Sequence, residues 1–286
     1  MKPAPVLKGS PYSALEDDIL RYRIDRISVG TVLVVVAVQL VAVIYHWPWY
    51  TLAGIILGLR YVSLVEHNHA HTGIFRLSPI NEAFGWLCFL SNGIPLEFYR
   101  VHHVQNHHAL NQRFDEGGTD WSSTFGFQGT RFPDLPIGKL YYVCTFPLIT
   151  IASCLIALLR APGSRALKRF TRSMLVVLVA SIGLGVVNLN GFLLFFVIPW
   201  LICVFAHGFQ NYDHHAGCSM TDPYNSANES LSIPYRLLGF NIGYHIEHHL
   251  RPSLHWSQLP DYHAQVRSLI PTERMKEQRI RGDQKN

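Results

Sequence analysis

Long apolar segments alternate along the chain with short polar ones. Residues 27–45 carry no charge over 19 positions, enough to cross a bilayer core of about 30 Å at about 1.5 Å per residue. A second apolar run follows directly after the aromatic turn at 46–50. Another pair is joined by Asn188-Leu189-Asn190-Gly191, which is typical of a tight turn. The pattern predicts two helical hairpins, with membrane spans at about 27–45, 49–66, 172–187 and 192–207.

Two further apolar stretches, 83–98 and 140–159, are ambiguous. The first is interrupted by Gly85, Gly93 and Pro95, and the second contains Pro147. Lysine and arginine are concentrated in the first 26 residues and again in the loop 160–172, and positively charged loops stay on the cytoplasmic side. An even number of crossings must therefore separate these two regions. We favour the interpretation in which both stretches are interfacial or re-entrant.

These segments together predict an all-α integral membrane protein. About four transmembrane helices in two hairpins would carry a cytoplasmic helical cap that holds a metal site. The expected organisation is a cytoplasmic N-terminal segment at 1–26, a membrane domain at 27–265 and a polar C-terminal tail at 266–286. Both termini and the metal site are expected on the cytoplasmic side of this multi-pass protein.

Composition narrows the classes of function. Apolar residues make up 49% of the chain and charged residues 15%, against about 25% charged in an ordinary globular protein. That apolar content argues against disorder, and the five cysteines form no CxxC pair that would suggest a zinc ribbon. The net charge of +5 comes from basic residues near apolar segments, which indicates membrane orientation and not nucleic-acid binding. The polar start of the chain predicts no cleavable signal peptide.

Sixteen histidines are the strongest chemical signal, because most of them fall in four clusters. These read HNHAH at 67–71, HHVQNHH at 102–108, HGFQNYDHH at 207–215 and HIEHH at 245–249. Residues four apart share one face of a helix, so each cluster can direct two or three imidazoles towards a common centre. Nine imidazoles exceed the four to six ligands of one ion and suit two. The candidate metal ligands are His67, His71, His103, His107, His108, His215, His245, His248 and His249.

Several neighbours of these ligands have less certain roles. His207 and Asn211 share a helical face with His215, so His207 could be a further ligand or could support one. His102 and His214 lie inside clusters but off the favoured faces. Acidic residues close to the clusters could orient imidazoles through hydrogen bonds, namely Glu66, Glu97, Asp213, Glu247 and Asp120. His46, His255 and His263 fall outside the clusters, and no catalytic residue is expected beyond the metal centre.

The ligand type limits the metal and its chemistry. Imidazole binds Zn, Cu, Fe and Ni well. A hydrolytic zinc site normally uses three protein ligands and a nearby carboxylate base, fewer groups than this chain offers. Nine neutral imidazoles favour a redox-active iron pair. A membrane zinc hydrolase and a metal carrier remain as alternatives from other classes.

The boxes HNHAH, HHVQNHH and HIEHH resemble the three histidine boxes of the membrane fatty acid desaturase superfamily. The last box, within NIGYHIEHHLRPSLHWSQLP, is similar to the HxxHH box of acyl-lipid and sphingolipid desaturases. The segment NYDHHAG resembles the NYxEHYG box of the related alkane hydroxylases, with His214 in place of the glutamate. The second box reads HxxxHH from His103, as in the hydroxylases, and the first is the shorter HxxxH.

This resemblance implies two Fe ions bound by the nine histidines, and O2 as co-substrate. It implies oxidation of an unactivated C–H bond in a fatty acyl or similar lipid chain, with two electrons from an external donor. The chain shows no HPGG motif of a fused cytochrome-b5-type domain, so a separate ferredoxin, rubredoxin or cytochrome-b5-type protein is expected to supply them. Desaturation is the favoured reaction. Hydroxylation of an alkyl or lipid substrate, or carotenoid-type oxygenation, is the alternative on the same scaffold.

Overall fold

The computed structural model describes residues 19–115, 117–124, 136–232 and 239–275. The described chain is mostly helical, as predicted for an all-α protein, and its one two-stranded sheet pairs Phe114–Asp115 with Gly118–Thr119. Residues 14–102 and 151–207 form one compact unit, here the first unit. The second unit comprises residues 1–13, 103–150 and 208–286.

The helices follow the predicted apolar segments closely. Helix α1 (Asp25–Ile44) covers the first predicted span, and α2 (Leu52–Thr72) contains the second and the HNHAH cluster. The other helices are α3 (Ser78–Asn92), α4 (Leu96–Phe98), α5 (His108–Leu110), α6 (Pro136–Leu159), α7 (Arg165–Phe192), α8 (Ile198–His215), α9 (His245–Leu250) and α10 (Leu259–Val266). Two stretches are π-helical, Tyr99–His107 between α4 and α5, and Leu193–Val197 between α7 and α8.

Three helices among the described residues are long and apolar enough to cross a membrane: Asp25–Ile44, Gly138–Leu159 and Arg165–His215. The third contains both predicted spans of the second hairpin. The segment 140–159, predicted as interfacial or re-entrant, therefore has the length and composition of a span. Helix α2 is outside this set, in keeping with Arg60 and the polar HNHAH end that it carries. The number of crossings and the position of 83–98 and 140–159 stay predictions.

Asn188 interrupts the long apolar stretch where the sequence predicts a tight turn. Its backbone is extended (φ −161°, ψ 95°), and helical geometry resumes at Leu189, so one residue breaks the helix where four were expected. The Asn188 side chain explains why a single residue is enough, because its Oδ1 accepts a hydrogen bond from Gly191 N at 3.0 Å and caps the following helix. Its Nδ2 donates to the carbonyl oxygen of Val43 at 2.8 Å.

A buried glutamine joins three segments of the first unit. Gln39 is fully buried, and its Nε2 donates to the carbonyl oxygens of Ser91 (3.1 Å) and Phe195 (2.9 Å). Ser91 Oγ donates back to Gln39 Oε1 at 2.6 Å. Phe195 lies in the second π-helical stretch, where the change in bonding pattern disturbs the regular pairing of carbonyl groups. A side-chain donor at this point satisfies a polar backbone atom that apolar surroundings would otherwise leave unpaired.

Gly93, which ends α3, is expected to be intolerant of any side chain. Its φ is +78°, and a Cβ there would lie 2.5 Å from Cβ of Trp200. An L-residue in this conformation costs about 1–2 kcal/mol, and overpacking costs about 1–3 kcal/mol more. Gly93→Ala should therefore lower the free energy of unfolding by about 2–5 kcal/mol, seen as a lower thermal midpoint of the purified protein in detergent.

Gly54→Ala is the matched control, because a Cβ at that helical position meets nothing within 4 Å. Alanine is the better helix former, so this variant should unfold no earlier than the unchanged protein. Equal midpoints for the two variants would contradict the packing assigned to Gly93 and Trp200.

The second unit holds the last histidine box against a small apolar core. Tyr244 and Ile246, at the start of α9, are buried together with Leu259 and Tyr262 of α10. Arg251 follows α9 and lies over the ring of Tyr262, 4.4 Å from its centroid. The histidines of α9 are thus carried by a short helix whose apolar side is fixed by packing.

Candidate metal centre

Four imidazoles of the second unit meet in one group. His107, His215, His245 and His249 each place one ring nitrogen within 4.8 Å of the others. Nε2 of His215 lies 3.2 Å from Nε2 of His107 and 3.1 Å from Nε2 of His245. The ring of His249 is centred 4.8–4.9 Å from the other three rings. We call these four residues the first histidine group.

Three further imidazoles of the same unit form the second histidine group, which consists of His103, His108 and His248. Their Nε2 atoms are separated by 3.0 Å (His103 to His108), 2.9 Å (His108 to His248) and 3.3 Å (His103 to His248). Protons cannot satisfy three nitrogens that all point at one another, whereas a cation can accept all three lone pairs.

The π-helix explains how the second box supplies both groups. The α-helical spacing predicted His103 and His107 on one face, with His108 beside them. In the π-helix Tyr99–His107 the hydrogen bonds run from i to i+5, which brings Nε2 of His103 within 3.0 Å of Nε2 of His108. The rings of His103 and His107 are also stacked, with centroids 5.3 Å apart, as the four-residue spacing predicts. His107 Nε2 meanwhile lies beside Nε2 of His215 in the first histidine group. The assignment of these residues as ligands stays a prediction.

The last box follows the predicted helical geometry. His245 and His249, four residues apart on α9, both join the first group, while His248 on the adjacent ridge joins the second. His67 and His71, the ligands predicted from the first box, belong to the first unit. They lie together on α2 with ring centroids 5.1 Å apart, as residues four apart on a helix should.

Asp120 orients His107 from behind. His107 Nδ1 donates to Asp120 Oδ2 at 2.8 Å, and both residues are buried. The other carboxylate oxygen accepts hydrogen bonds from Ser122 N (2.9 Å) and Ser122 Oγ (2.7 Å), which fix the carboxylate itself. With Nδ1 protonated, Nε2 of His107 keeps its lone pair for a metal. His215 is held in the same way, with Nδ1 donating to the carbonyl oxygen of Ser226 at 3.1 Å.

Burial keeps the other two members of the first histidine group, His245 and His249, neutral. It lowers the pKa of His245 well below 6.5, and the neighbouring imidazoles lower it further. The pKa of His249 is lowered well below 6.5 in the same way, first by burial and then by His215 and His107. Neutral imidazole is the form that binds a metal, so these groups are ready to act as ligands at physiological pH.

Two of the less certain neighbours in the second unit have structural partners. Asn211 Nδ2 donates to the hydroxyl of Tyr142 (2.5 Å) and to the carbonyl oxygen of Ser122 (3.2 Å). Asp213 accepts from Lys139 Nζ at 2.6 Å and is half exposed. Asn211 therefore helps to hold the loop that carries Asp120, and the described bond of Asp213 is an ion pair with Lys139.

His214 and Glu247 approach the ligands from other sides. The His214 ring stacks on that of His245, with centroids 4.0 Å apart. Glu247, in the middle of α9, accepts a hydrogen bond from His263 Nδ1 at 2.6 Å and thus faces away from both histidine groups. No spacing in the sequence predicts the hydrogen bond between Glu247 and His263, because His263 lies outside the histidine clusters.

The other candidates belong to the first unit. Glu66 Oε2 accepts from Asn92 Nδ2 at 2.7 Å, and Glu97 pairs with Arg169. His207 Nδ1 donates to the carbonyl oxygen of Cys203, four residues earlier, and its Nε2 is hydrogen-bonded to the hydroxyl of Tyr99. His102, which directly precedes the ligands of the second box, is also in this unit.

The donor set fits transition metals well. Both histidine groups consist of imidazole nitrogen alone, and no carboxylate of the described chain joins them within 4.8 Å. Such nitrogen-rich sites bind Fe or Zn and disfavour Mg or Ca, which need oxygen ligands. Ser122 is a residue of the site that the sequence does not predict. It supports His107 indirectly, because it holds the carboxylate of Asp120.

Asp120→Asn should weaken the centre without removing a ligand. The amide can keep the contact with Ser122 but no longer balances a proton on His107 Nδ1. Loss of such a supporting partner costs about 10–100-fold in metal affinity or activity. Metal content after dialysis against a graded series of chelator concentrations measures the effect.

Asp213→Asn is the control for this variant, since its described bond is to Lys139 and not to a histidine group. Its metal affinity should stay within about twofold of the unchanged protein, because a half-exposed ion pair contributes little. Equal losses in the two variants would show that Asp120 has no special relation to the metal.

The comparisons with known proteins agree with the site. A family model described as fatty acid desaturase matches residues 18–280, which include all four histidine clusters and both histidine groups. No curated protein and no solved structure matches the chain. This family consists of membrane enzymes that oxidise lipid chains at a di-iron centre. The chain belongs to the fatty acid desaturase family.

Proposed function

We propose that this protein carries out O2-dependent oxidation of an unactivated C–H bond in a fatty acyl or similar lipid chain, and that the reaction is desaturation. The observation that carries the proposal is the pair of histidine groups within one unit, four imidazoles in the first and three in the second. A single hydrolytic zinc ion would use about three of these ligands and would need a carboxylate base beside them.

The proposed ligand assignment follows the groups. The first histidine group would hold one iron ion and the second would hold the other, and the first box adds His67 and His71 to the set on sequence grounds. When bound, the iron pair supplies the activation of O2 and the removal of hydrogen from carbon. Asp120 supports one proposed ligand through a hydrogen bond, so the proposed donors to the two ions are neutral imidazole nitrogens.

The chain's own residues prepare the site in three ways. Asp120 and the carbonyl oxygen of Ser226 hold the protons of His107 and His215 on Nδ1, away from the metal side. Burial of His107, His215 and His245 excludes water from three of the four proposed ligands of the first histidine group. The long apolar helices are the part of the chain that would meet a lipid substrate in the membrane.

Desaturation removes two hydrogen atoms from neighbouring carbons and reduces O2 to two water molecules, with two electrons and two protons from outside. Hydroxylation consumes the same electrons but inserts one oxygen atom into the C–H bond. The HIEHH box and its context favour desaturation, while the HxxxHH spacing and NYDHHAG favour hydroxylation as the second candidate. The choice depends on how closely a carbon is held against the metal.

Product mass decides between the two reactions. Membranes from cells that express the chain, supplied with a ferredoxin or cytochrome-b5 reducing system and O2, are analysed for lipid products by mass spectrometry. A decrease of about 2 Da identifies desaturation and an increase of about 16 Da identifies hydroxylation, as the atom balance above requires. Iron is quantified anaerobically on the same preparation. Lipid turnover without O2, in a preparation that holds zinc and no iron, would contradict the proposal and favour a zinc hydrolase.

We further propose that the metal site faces the cytoplasm, together with both termini. The basic clusters at the start of the chain and at 160–172 support this sidedness. A basic cytoplasmic face would also attract an acidic electron donor and speed its docking. Raising the salt concentration should then slow electron delivery from a ferredoxin while leaving turnover with a small chemical reductant unchanged.

A further inference from the structure

The second unit contains a third cluster of metal-binding side chains, distinct from the two histidine groups. Glu229, Glu247 and His263 each place one donor atom within 4.8 Å of the others. His263 Nδ1 lies 2.6 Å from Glu247 Oε1 and 3.8 Å from Glu229 Oε2. The three residues come from separate segments, with Glu229 before the last box, Glu247 on α9 and His263 on α10.

The carboxylates of this cluster are buried without sufficient hydrogen-bond donors. Glu229 and Glu247 are both 0% exposed. Neither oxygen of Glu229 nor Oε2 of Glu247 meets a donor with good hydrogen-bond geometry in the described part of the chain, although the Ile246 N–H and the Glu247 carboxyl lie close to Glu229. Buried polar groups are nearly always satisfied, so three carboxylate oxygens without a well-placed donor in one small volume indicate a missing electropositive partner.

The charge of the cluster indicates what that partner is. With both carboxylates ionised the cluster would carry −2, and in the absence of a cation burial and the neighbouring Glu247 carboxylate raise the pKa of Glu229 to about 10. Arg267 acts on Glu229 electrostatically, but it is exposed and forms no ion pair with it in the described chain. A divalent cation with a neutral imidazole balances the charge completely and accepts all the free oxygen lone pairs.

We propose that Glu229, Glu247 and His263 bind a divalent transition-metal cation, separate from the two iron ions. Two carboxylates and one imidazole are the three-ligand type of set that Zn²⁺ uses, and the cation would take the place of the proton between His263 and Glu247. Glu247 projects from α9 on the side away from His245 and His249. A cation there links α9 to α10 and to the segment of Glu229, so it fixes the helix that presents three proposed iron ligands.

Metal counting tests this site on the full-length protein in detergent. After a chelator wash that removes loosely bound ions, the unchanged protein should hold three metal ions per chain. Glu229→Gln, which keeps the shape of the side chain, should hold two. Glu273→Gln, an exposed glutamate in the same unit, should still hold three. Equal metal content in the unchanged protein and Glu229→Gln would overturn the proposal and assign a shared proton to the carboxylate pair.

A second measurement separates this site from the iron centre. The His249→Ala variant should still bind the metal ion that depends on Glu229. Addition of Zn²⁺ alone should raise the thermal midpoint of this variant after chelator treatment. His249→Ala combined with Glu229→Gln should bind one zinc ion fewer and show a smaller rise of the thermal midpoint. Equal zinc content and an equal rise in the two variants would overturn the proposal. If the histidine groups hold no iron, the proposed function fails, while the metal ion that depends on Glu229 still binds. Failure of the proposed function can therefore be told apart from failure of this third site.

Discussion

His249→Ala is expected to abolish metal loading of the first histidine group and, with it, all turnover. His249 is the member whose ring faces the other three at nearly equal distances of 4.8–4.9 Å, so its loss opens the group on one side. Loss of a residue that only supports a ligand costs about 10–100-fold, so loss of a ligand should cost more than about 100-fold in activity. His107→Ala should have the same effect.

His255→Ala serves as the matched control for a lost imidazole. His255 is also buried in the second unit, where it contacts Ser257 and Trp256, and it belongs to neither histidine group. This variant should be less stable to heat yet bind iron at the full ratio. Iron content by elemental analysis and product formation by mass spectrometry are measured side by side. Normal iron and turnover in His249→Ala would refute the ligand assignment.

His248→Ala is expected to remove one of the two iron ions and retain the other. His248 Nε2 lies 2.9 Å from Nε2 of His108 and 3.3 Å from Nε2 of His103, the other two members of the second histidine group. The first histidine group therefore keeps its four donors when His248 is lost. Turnover should still fall by more than about 100-fold, since the proposed reaction uses both ions.

The iron ratio is the decisive measurement for His248→Ala. It should fall from two per chain to one, while His249→Ala lowers the occupancy of the other group. A ratio that stays at two would show that His248 is not a ligand. Complete loss of iron would contradict this expectation and show that the two groups, whose His108 and His249 rings lie 4.4 Å apart, do not bind independently.

The sequence predicts the membrane helices and the histidine clusters for a simple physical reason. Both depend on local spacing. The membrane helices follow from the length of the apolar segments, and the histidine clusters follow from the four-residue repeat of a helix. His245 and His249 behave as this repeat requires, and so do His67 and His71. The break at Asn188 is likewise local, although a side-chain cap makes it shorter than the predicted turn.

Long-range contacts account for what the sequence could not predict. Glu229 and His263 are 34 positions apart and show no periodic relation, so only the folded chain brings them to Glu247. Asp120 lies 13 residues from His107 and was only one of several acids near the clusters. The close approach of the His103 and His108 rings depends on a π-helix, for which local propensity offers no clear signal.

The π-helix also changes how the length of the second box should be weighed in database searches and family trees. A π-turn arises when one residue is inserted into an α-helix, and the ladder of hydrogen bonds absorbs the extra position. The box HxxxHH is one residue longer than HxxHH, and the wider turn between Tyr99 and His107 accommodates that residue. Insertion of one residue thus need not displace any metal ligand. Alignments that treat the longer box as a mark of hydroxylases would then separate proteins that share one arrangement of ligands and differ only in local helix geometry.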